Sequence, residues 1–216
     1  MQTPGGLQFF SRYSRGLYAV KPGFQRLLVR PADELAARRV HPDALTYAAV
    51  GCGVAGGAAL AYSGEATWLL GLVPLLAGAR IALNALDGMV AQRRGLARPW
   101  GKVLNEVCDR LSDLKFFAGL LFVPGASVAM VGAALVAMLM ASYVGVVAEA
   151  AGGKRQYGGV MGKADRMLWM SLASAATWTS GRYFPLRLLP AVILVGSLVT
   201  IVQRGRAAYA DLQSAR

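Results

Sequence analysis

The sequence predicts an all-α, polytopic membrane protein with six transmembrane helices and an N-terminal interfacial helix. Of its 216 residues, 56% are hydrophobic, and the mean hydropathy of +0.45 is high for a soluble domain. Six apolar segments approach the roughly 20 residues that a helix needs to cross a bilayer. They are residues 44–62, 67–87, 104–123, 126–147, 165–180 and 185–203.

Residues 22–39 precede the first predicted span and mix Leu, Val and Phe with several arginines. This composition favours a helix lying along the inner leaflet, with its arginines near anionic head groups. The alternative is an ordinary juxtamembrane linker. We therefore divide the chain into an N-terminal cytoplasmic segment, residues 1–40, and a membrane domain, residues 41–216.

The distribution of basic residues predicts the orientation in the membrane. They concentrate in the N-terminal segment, in the loops after the second and before the fifth predicted span, and in the tail from Arg204 onward. Only Arg182 and Arg187 lie in a loop on the opposite side. The positive-inside rule then places both termini in the cytoplasm of a cell with an inner membrane. The net charge of +12 is spread along membrane boundaries, which argues against nucleic-acid binding.

Polar residues follow helical spacing where the second predicted span ends and the third begins. Asn84 and Asp87 are three apart, and Asn105, Asp109 and Asp113 step by four. Because residues three or four apart share a helix face, each span presents an oxygen-rich stripe. Two such stripes that face each other suit a hard cation such as Mg²⁺. Carboxylates are costly at a membrane boundary, so this is the predicted functional site.

The same stretch resembles the CDP-alcohol phosphotransferase (CDP-alcohol phosphatidyltransferase) family. The family signature is Asp-x-x-Asp-Gly-x-x-Ala-Arg, followed after a gap by Gly-x-x-x-Asp-x-x-x-Asp. Its positions are occupied here by Asn84, Asp87, Gly88, Ala91, Gln92, Gly101, Asn105 and Asp109. In addition, the segment HPDALT, residues 41–46, is similar to the Pro-Asn-x-x-Thr that precedes the family's first span.

The resemblance implies a membrane phosphatidyltransferase of phospholipid biosynthesis that depends on Mg²⁺ or Mn²⁺, with one or two ions. Its substrates would be CDP-diacylglycerol and a small alcohol, and CMP would be released. It implies metal binding by Asn84, Asp87, Asn105 and Asp109. It implies nucleotide binding by Gly88, Ala91, Gln92, Gly101, Asp43 and Thr46. Asp109 would also be the catalytic base, and glycerol 3-phosphate is the favoured acceptor, with an inositol-type acceptor as the alternative.

The sequence departs from the signature at Asn84, Asn105 and Gln92, which removes two negative charges and one positive charge. Asparagine oxygens bind Mg²⁺, but more weakly than carboxylates do. One interpretation is therefore that the site binds a single metal ion, or binds metal more weakly. The alternative is a catalytically impaired relative that binds lipids or partner proteins. A small transporter is a third possible class of function, but the paired halves and interrupted helices typical of transporters are not evident in the sequence.

Four further residues are candidates for contacts with the acceptor or its phosphate: Arg80, Lys163, Arg166 and Asp113. For Arg80 the alternative is an internal ion pair, with Asp87 as one partner. For Asp113 the alternative is a structural role, as a buried side chain or a helix cap. For Lys163 and Arg166 the alternative is a role in setting topology. We interpret Lys154, Arg155 and Tyr157 as plain loop residues. The small-residue faces of the spans would also permit a homodimer.

Overall fold

The computed structural model describes residues 21–214, and this part of the chain is helical, with no strands. Its α-helices are α1 (Lys21–Leu27), α2 (Val29–Ala37), α3 (Pro42–Ala61), α4 (Leu72–Arg93), α5 (Pro99–Ala118), α6 (Val128–Ala150), α7 (Lys163–Ser180) and α8 (Phe184–Ser214). Short 3₁₀ turns occur at Tyr62–Gly64, Thr67–Gly71 and Gly119–Phe122. The prediction of an all-α protein is confirmed.

Four helical segments of the described chain are long and apolar enough to cross a membrane. They are Pro42–Gly64, Thr67–Arg93, Val128–Ala150 and Phe184–Ser214. The other two long helices, α5 and α7, have 20 and 18 residues; α5 carries six charged side chains, and α7 carries three in its first four residues. In α5 these are Lys102, Glu106, Asp109, Arg110, Asp113 and Lys115. The charges lower the mean hydropathy of both helices below that of the other four.

The N-terminal region forms two short helices rather than the single helix predicted for residues 22–39. The break falls at Leu28, because Pro31 has no amide hydrogen to donate to the carbonyl of Leu27. Helix α2 then buries Ala32 in a small apolar cluster with Leu86 and Val90 of α4. Residues 1–20 of the predicted cytoplasmic segment lie outside the described residues.

Close packing of α3 against α5 positions the polar stripe of α5. A Cβ atom at Gly53 would collide with the hydroxyl of Ser112, and one at Gly57 would collide with the carbonyl oxygen of Lys115. Helix α3 also packs along α4. Glycines on α3 therefore let three helices converge, and the polar ends of α4 and α5 come to lie beside each other.

Candidate active site

Asp87 lies at the centre of a hydrogen-bond cluster built by three helices. Its carboxylate accepts hydrogen bonds from the Thr46 hydroxyl at 2.8 Å, the Asn105 amide at 2.6 Å and the Gly88 backbone N–H at 2.6 Å. The residue is 3% exposed. Thr46 lies one turn inside α3, so the first span contributes directly to the cluster.

Asp109 lies on α5 and faces Asp87 of α4. Like Asp87, it accepts a hydrogen bond from an asparagine on the facing helix. One of its oxygens, Oδ1, accepts a hydrogen bond from the Asn84 amide at 2.6 Å and forms an ion pair with the Lys163 ammonium, also at 2.6 Å. A terminal nitrogen of Arg80 lies 3.9 Å from the same oxygen. Asp109 is thus flanked by positive charge from both α4 and α7.

The four residues with predicted metal-binding roles are brought together by the fold. The hydrogen bonds run between the two helices. The Asn84 amide of α4 donates to the Asp109 carboxylate of α5, and the Asn105 amide of α5 donates to the Asp87 carboxylate of α4. Within residues 21–214, no group of three or more His, Cys, Asp or Glu side chains could hold a metal. With the amides turned to present oxygen, two carboxylates and two carbonyl oxygens form a donor set that fits one Mg²⁺ or Mn²⁺ ion.

A cavity of about 510 Å³ opens on the Asp87 side of this cluster. Its lining includes every residue with a predicted nucleotide-binding role: Asp43, Thr46, Gly88, Ala91, Gln92 and Gly101. A Cβ atom added at Gly88 would meet nothing within 4 Å, so the wall is open there. Asp43 is held at the rim by an ion pair with Arg98 at 2.5 Å. The predicted positions therefore share one concave surface.

A second cavity, of about 520 Å³, opens on the other side of Asp109 between α4 and α7. Five basic residues line it, namely Arg110, Arg155, Lys163, Arg166 and Arg204, against the acidic Asp109 and Asp165. Within the described chain, the Nε atoms of Arg110 and Arg166 are buried without a hydrogen-bond partner. The excess of basic over acidic side chains in its lining makes this cavity suited to an anion.

The loop between α6 and α7 contributes to the lining of both cavities. Arg155 in this loop pairs with Glu106 of α5, its guanidinium lies 4.9 Å from the centroid of the Tyr157 ring, and both loop residues line both cavities. Burial favours neutral arginine, but the hydrogen bond and charge of Glu106 outweigh it and hold the pKa of Arg155 above its ordinary value. The interpretation of Arg155 and Tyr157 as plain loop residues missed this position, as did the assignment of Arg204 to the tail.

Arg80 and Asp113 lie behind the cavities and line neither of them. Arg80 is 0% exposed, and its guanidinium lies 2.8 Å from the Asp113 carboxylate and also bonds to the hydroxyl of Ser112. Arg166 contacts the same carboxylate at 3.3 Å. The partner of Arg80 is therefore Asp113 rather than Asp87, because Asp87 is directed toward Thr46 and Asn105. This geometry favours the internal ion pair over a contact with the acceptor.

Comparison with known proteins identifies similar chains. The family model described as CDP-alcohol phosphatidyltransferase matches residues 39–203. Inner membrane protein YnbA of Escherichia coli is 33% identical over 156 residues, which are 72% of this chain and 77% of YnbA. The phosphatidylinositol phosphate synthase of Corynebacterium glutamicum is 29% identical over 197 residues, which are 88% of this chain and 86% of the synthase. Together with the apolar helices, these matches indicate an integral membrane protein.

Solved structures of the phosphatidylinositol phosphate synthase of Mycobacterium tuberculosis share the fold. The complex with manganese and citrate has a TM-score of 0.68 at 25% identity, covering 83% of this chain and 88% of that one. The form with CDP-DAG bound has a TM-score of 0.64 at 25% identity, covering 85% and 94%. The names of these synthases specify phosphatidylinositol phosphate as the product, so they give no support to the glycerol 3-phosphate favoured from the sequence.

Proposed function

Because the chain belongs to the CDP-alcohol phosphatidyltransferase family and is a metal-dependent transferase, we propose that it transfers the phosphatidyl group of CDP-diacylglycerol to an inositol phosphate. CMP is the second product. Inositol phosphate replaces glycerol 3-phosphate as the acceptor. The reaction class follows from the family, and the choice of acceptor is the new element of the proposal.

The observation that carries the proposal is the position of Asp109 between two cavities. The cavity on the Asp87 side has the residues proposed for the nucleotide, and the cavity on the Lys163 side has an excess of basic groups. A donor nucleotide in the first and an acceptor anion in the second would meet at the Asp109 carboxylate. Such an arrangement brings the two reacting groups together and aligns them, which is a large part of catalysis for phosphoryl-type transfer.

In the proposed reaction, Asp109 accepts the proton of the acceptor hydroxyl. The hydroxyl oxygen attacks the phosphorus that carries the diacylglycerol, and the bond from that phosphorus to the oxygen of the CMP phosphate breaks. CMP leaves with the bonding electron pair. Asp87, Asn84, Asn105 and Asp109 would hold the divalent cation, which offsets the negative charge of the diphosphate when bound.

The charge of the second cavity supports a phosphorylated acceptor rather than a neutral polyol. Five basic side chains line this cavity against two acidic ones. Arginine and lysine donate charge-assisted hydrogen bonds to phosphate oxygens, which a neutral polyol cannot accept with the same strength. Lys163 and Arg166 are therefore proposed phosphate contacts, together with Arg110 and Arg155.

We extend the proposal to the membrane topology. Helix α5 and helix α7 would complete six spans, since 20 and 18 helical residues reach roughly 27–30 Å, close to the thickness of the hydrocarbon core. Their charged residues would face the cavities and not the lipid. Both termini and the site would lie on the cytoplasmic side of the inner membrane. Residues 1–40 would form the N-terminal cytoplasmic segment, whose helix α2 packs against α4 of the membrane domain. A homodimer is compatible with this arrangement.

The acceptor is tested with purified protein in CDP-diacylglycerol-containing micelles with Mg²⁺ or Mn²⁺. Labelled inositol phosphate, inositol and glycerol 3-phosphate are supplied in parallel, and lipid label and CMP are both measured. We expect equimolar CMP and labelled lipid with inositol phosphate, and little product with unphosphorylated inositol. Efficient transfer to inositol or glycerol 3-phosphate would refute the proposed acceptor. A folded sample that releases no CMP with any alcohol would refute the proposed reaction.

A further inference from the structure

The only two asparagines of the chain, Asn84 and Asn105, both lie in the site. Each donates a hydrogen bond of 2.6 Å to a carboxylate on the facing helix. The cluster of four side chains therefore carries two negative charges rather than four. Both carboxylates have donors already, since Asp87 also accepts from Thr46 and Gly88. Each carboxylate of the cluster therefore has at least one hydrogen-bond donor within the protein.

Positive charge from the protein already reaches one carboxylate of the cluster. The Lys163 ammonium lies 2.6 Å from Oδ1 of Asp109, and a terminal nitrogen of Arg80 lies 3.9 Å from the same atom. Two divalent cations would add four positive charges beside this lysine and arginine, against only two carboxylates. Like charges at these distances repel strongly where water is scarce.

We propose that this site takes a single divalent cation, held by the carboxylates of Asp87 and Asp109 with the amide oxygens of Asn84 and Asn105, and that Lys163 provides the remaining positive charge at Asp109. The proposal rests on the proposed function, which requires a metal at this site. If both asparagines were aspartates, two pairs of carboxylates would face each other at hydrogen-bond distance. Such a pair cannot stay fully ionised without another cation between them. The amides are thus what allows one ion to suffice.

The test is the number of Mn²⁺ ions bound by the full-length protein in detergent. Free Mn²⁺ is followed by its electron paramagnetic resonance signal, with no lipid substrate present. We expect about one ion per chain for the wild type and about two for the double variant Asn84→Asp plus Asn105→Asp. The matched control is Gln213→Glu, an amide-to-acid change at an exposed position near the C-terminus, which should leave one ion bound.

Each single variant, Asn84→Asp or Asn105→Asp, keeps the test decisive if the double variant does not fold. One added negative charge should tighten Mn²⁺ binding roughly tenfold. Two ions on the wild type, no ion on the wild type, or unchanged binding in folded single variants would each overturn the proposal. CMP release is scored separately. Two bound ions with transfer would remove only the single-cation proposal, whereas one bound ion without transfer to any alcohol would remove only the proposed reaction.

Discussion

At the scale of single residues, Asp109 has the central chemical role in the proposed reaction. Replacement by Asn keeps the shape of the side chain but removes its ability to accept a proton. We expect Asp109→Asn to lower the transfer rate by about 10²- to 10⁴-fold, the usual contribution of a general base, with further loss from weaker metal binding. CMP release from CDP-diacylglycerol measures the rate.

The matched control for this change is Asp33→Asn on α2. Asp33 forms an exposed ion pair with Arg93 at 2.5 Å, well outside the two cavities. Exposed pairs of this kind contribute at most about 1 kcal/mol to stability. The control should therefore retain its activity. An Asp109→Asn protein that kept more than a tenth of the wild-type rate would exclude Asp109 as the base.

Arg80 presents a second question at the residue scale, which is whether it stabilises the fold or contacts a substrate. Its burial against Asp113 predicts a structural role. Removing one partner of a buried ion pair costs about 3–5 kcal/mol, so Arg80→Met should lower the midpoint of thermal unfolding clearly. Adding Asp113→Asn should not restore stability, because buried Arg166 contacts the same carboxylate and would then lose its acidic partner.

Thermal unfolding of the detergent-solubilised protein, followed by size-exclusion chromatography, measures both effects. A variant with unchanged unfolding temperature and reduced turnover would show instead that Arg80 acts on a substrate. We expect the structural role because Arg80 lines neither cavity.

At the scale of helices, the contact of α3 with α5 controls the geometry of the site. Gly57→Ala would push a methyl group into the carbonyl oxygen of Lys115. Overpacking of this kind typically costs about 1–3 kcal/mol. We expect a lower unfolding temperature together with reduced Mn²⁺ affinity, since α5 carries Asn105 and Asp109. Both quantities are measured on the same purified sample.

The control for this prediction lies on the same helix. A Cβ atom at Gly51 would meet nothing within 4 Å, and the residue is exposed. Gly51→Ala should therefore be neutral, or slightly stabilising because alanine favours the helix by up to about 1 kcal/mol. Equal effects of the two substitutions would show that α3 and α5 are not in close contact.

At the scale of the whole molecule, the proposed topology can be tested by thiol labelling. Cys52 and Cys108 are first replaced by Ala, and single cysteines are then placed at Glu65 or Ala151. An impermeant maleimide should label the Glu65→Cys protein in intact bacterial cells. It should label the Ala151→Cys protein only after the membrane is permeabilised, because the loop after α6 would be cytoplasmic. The opposite labelling pattern would invert the topology.

The sequence by itself determined the features that depend on local periodicity. The spacing sufficed to predict that Asn84 and Asp87 share one helix face and that Asn105 and Asp109 share another, because a helix fixes which residues lie on one face. Apolar runs likewise predicted the positions of the long helices. The break at Leu28 was missed, although Pro31 marks it in the sequence.

Only the tertiary structure decided which distant residues complete the site. Arg110, Arg155 and Arg204 come from three separate parts of the chain and line one cavity, a proximity that no local spacing encodes. The same holds for the pairing of Arg80 with Asp113, which depends on how α4 and α5 pack. Long-range contacts of this kind are set by the packing of helices against one another, whereas each helix face is set by the chain's own geometry.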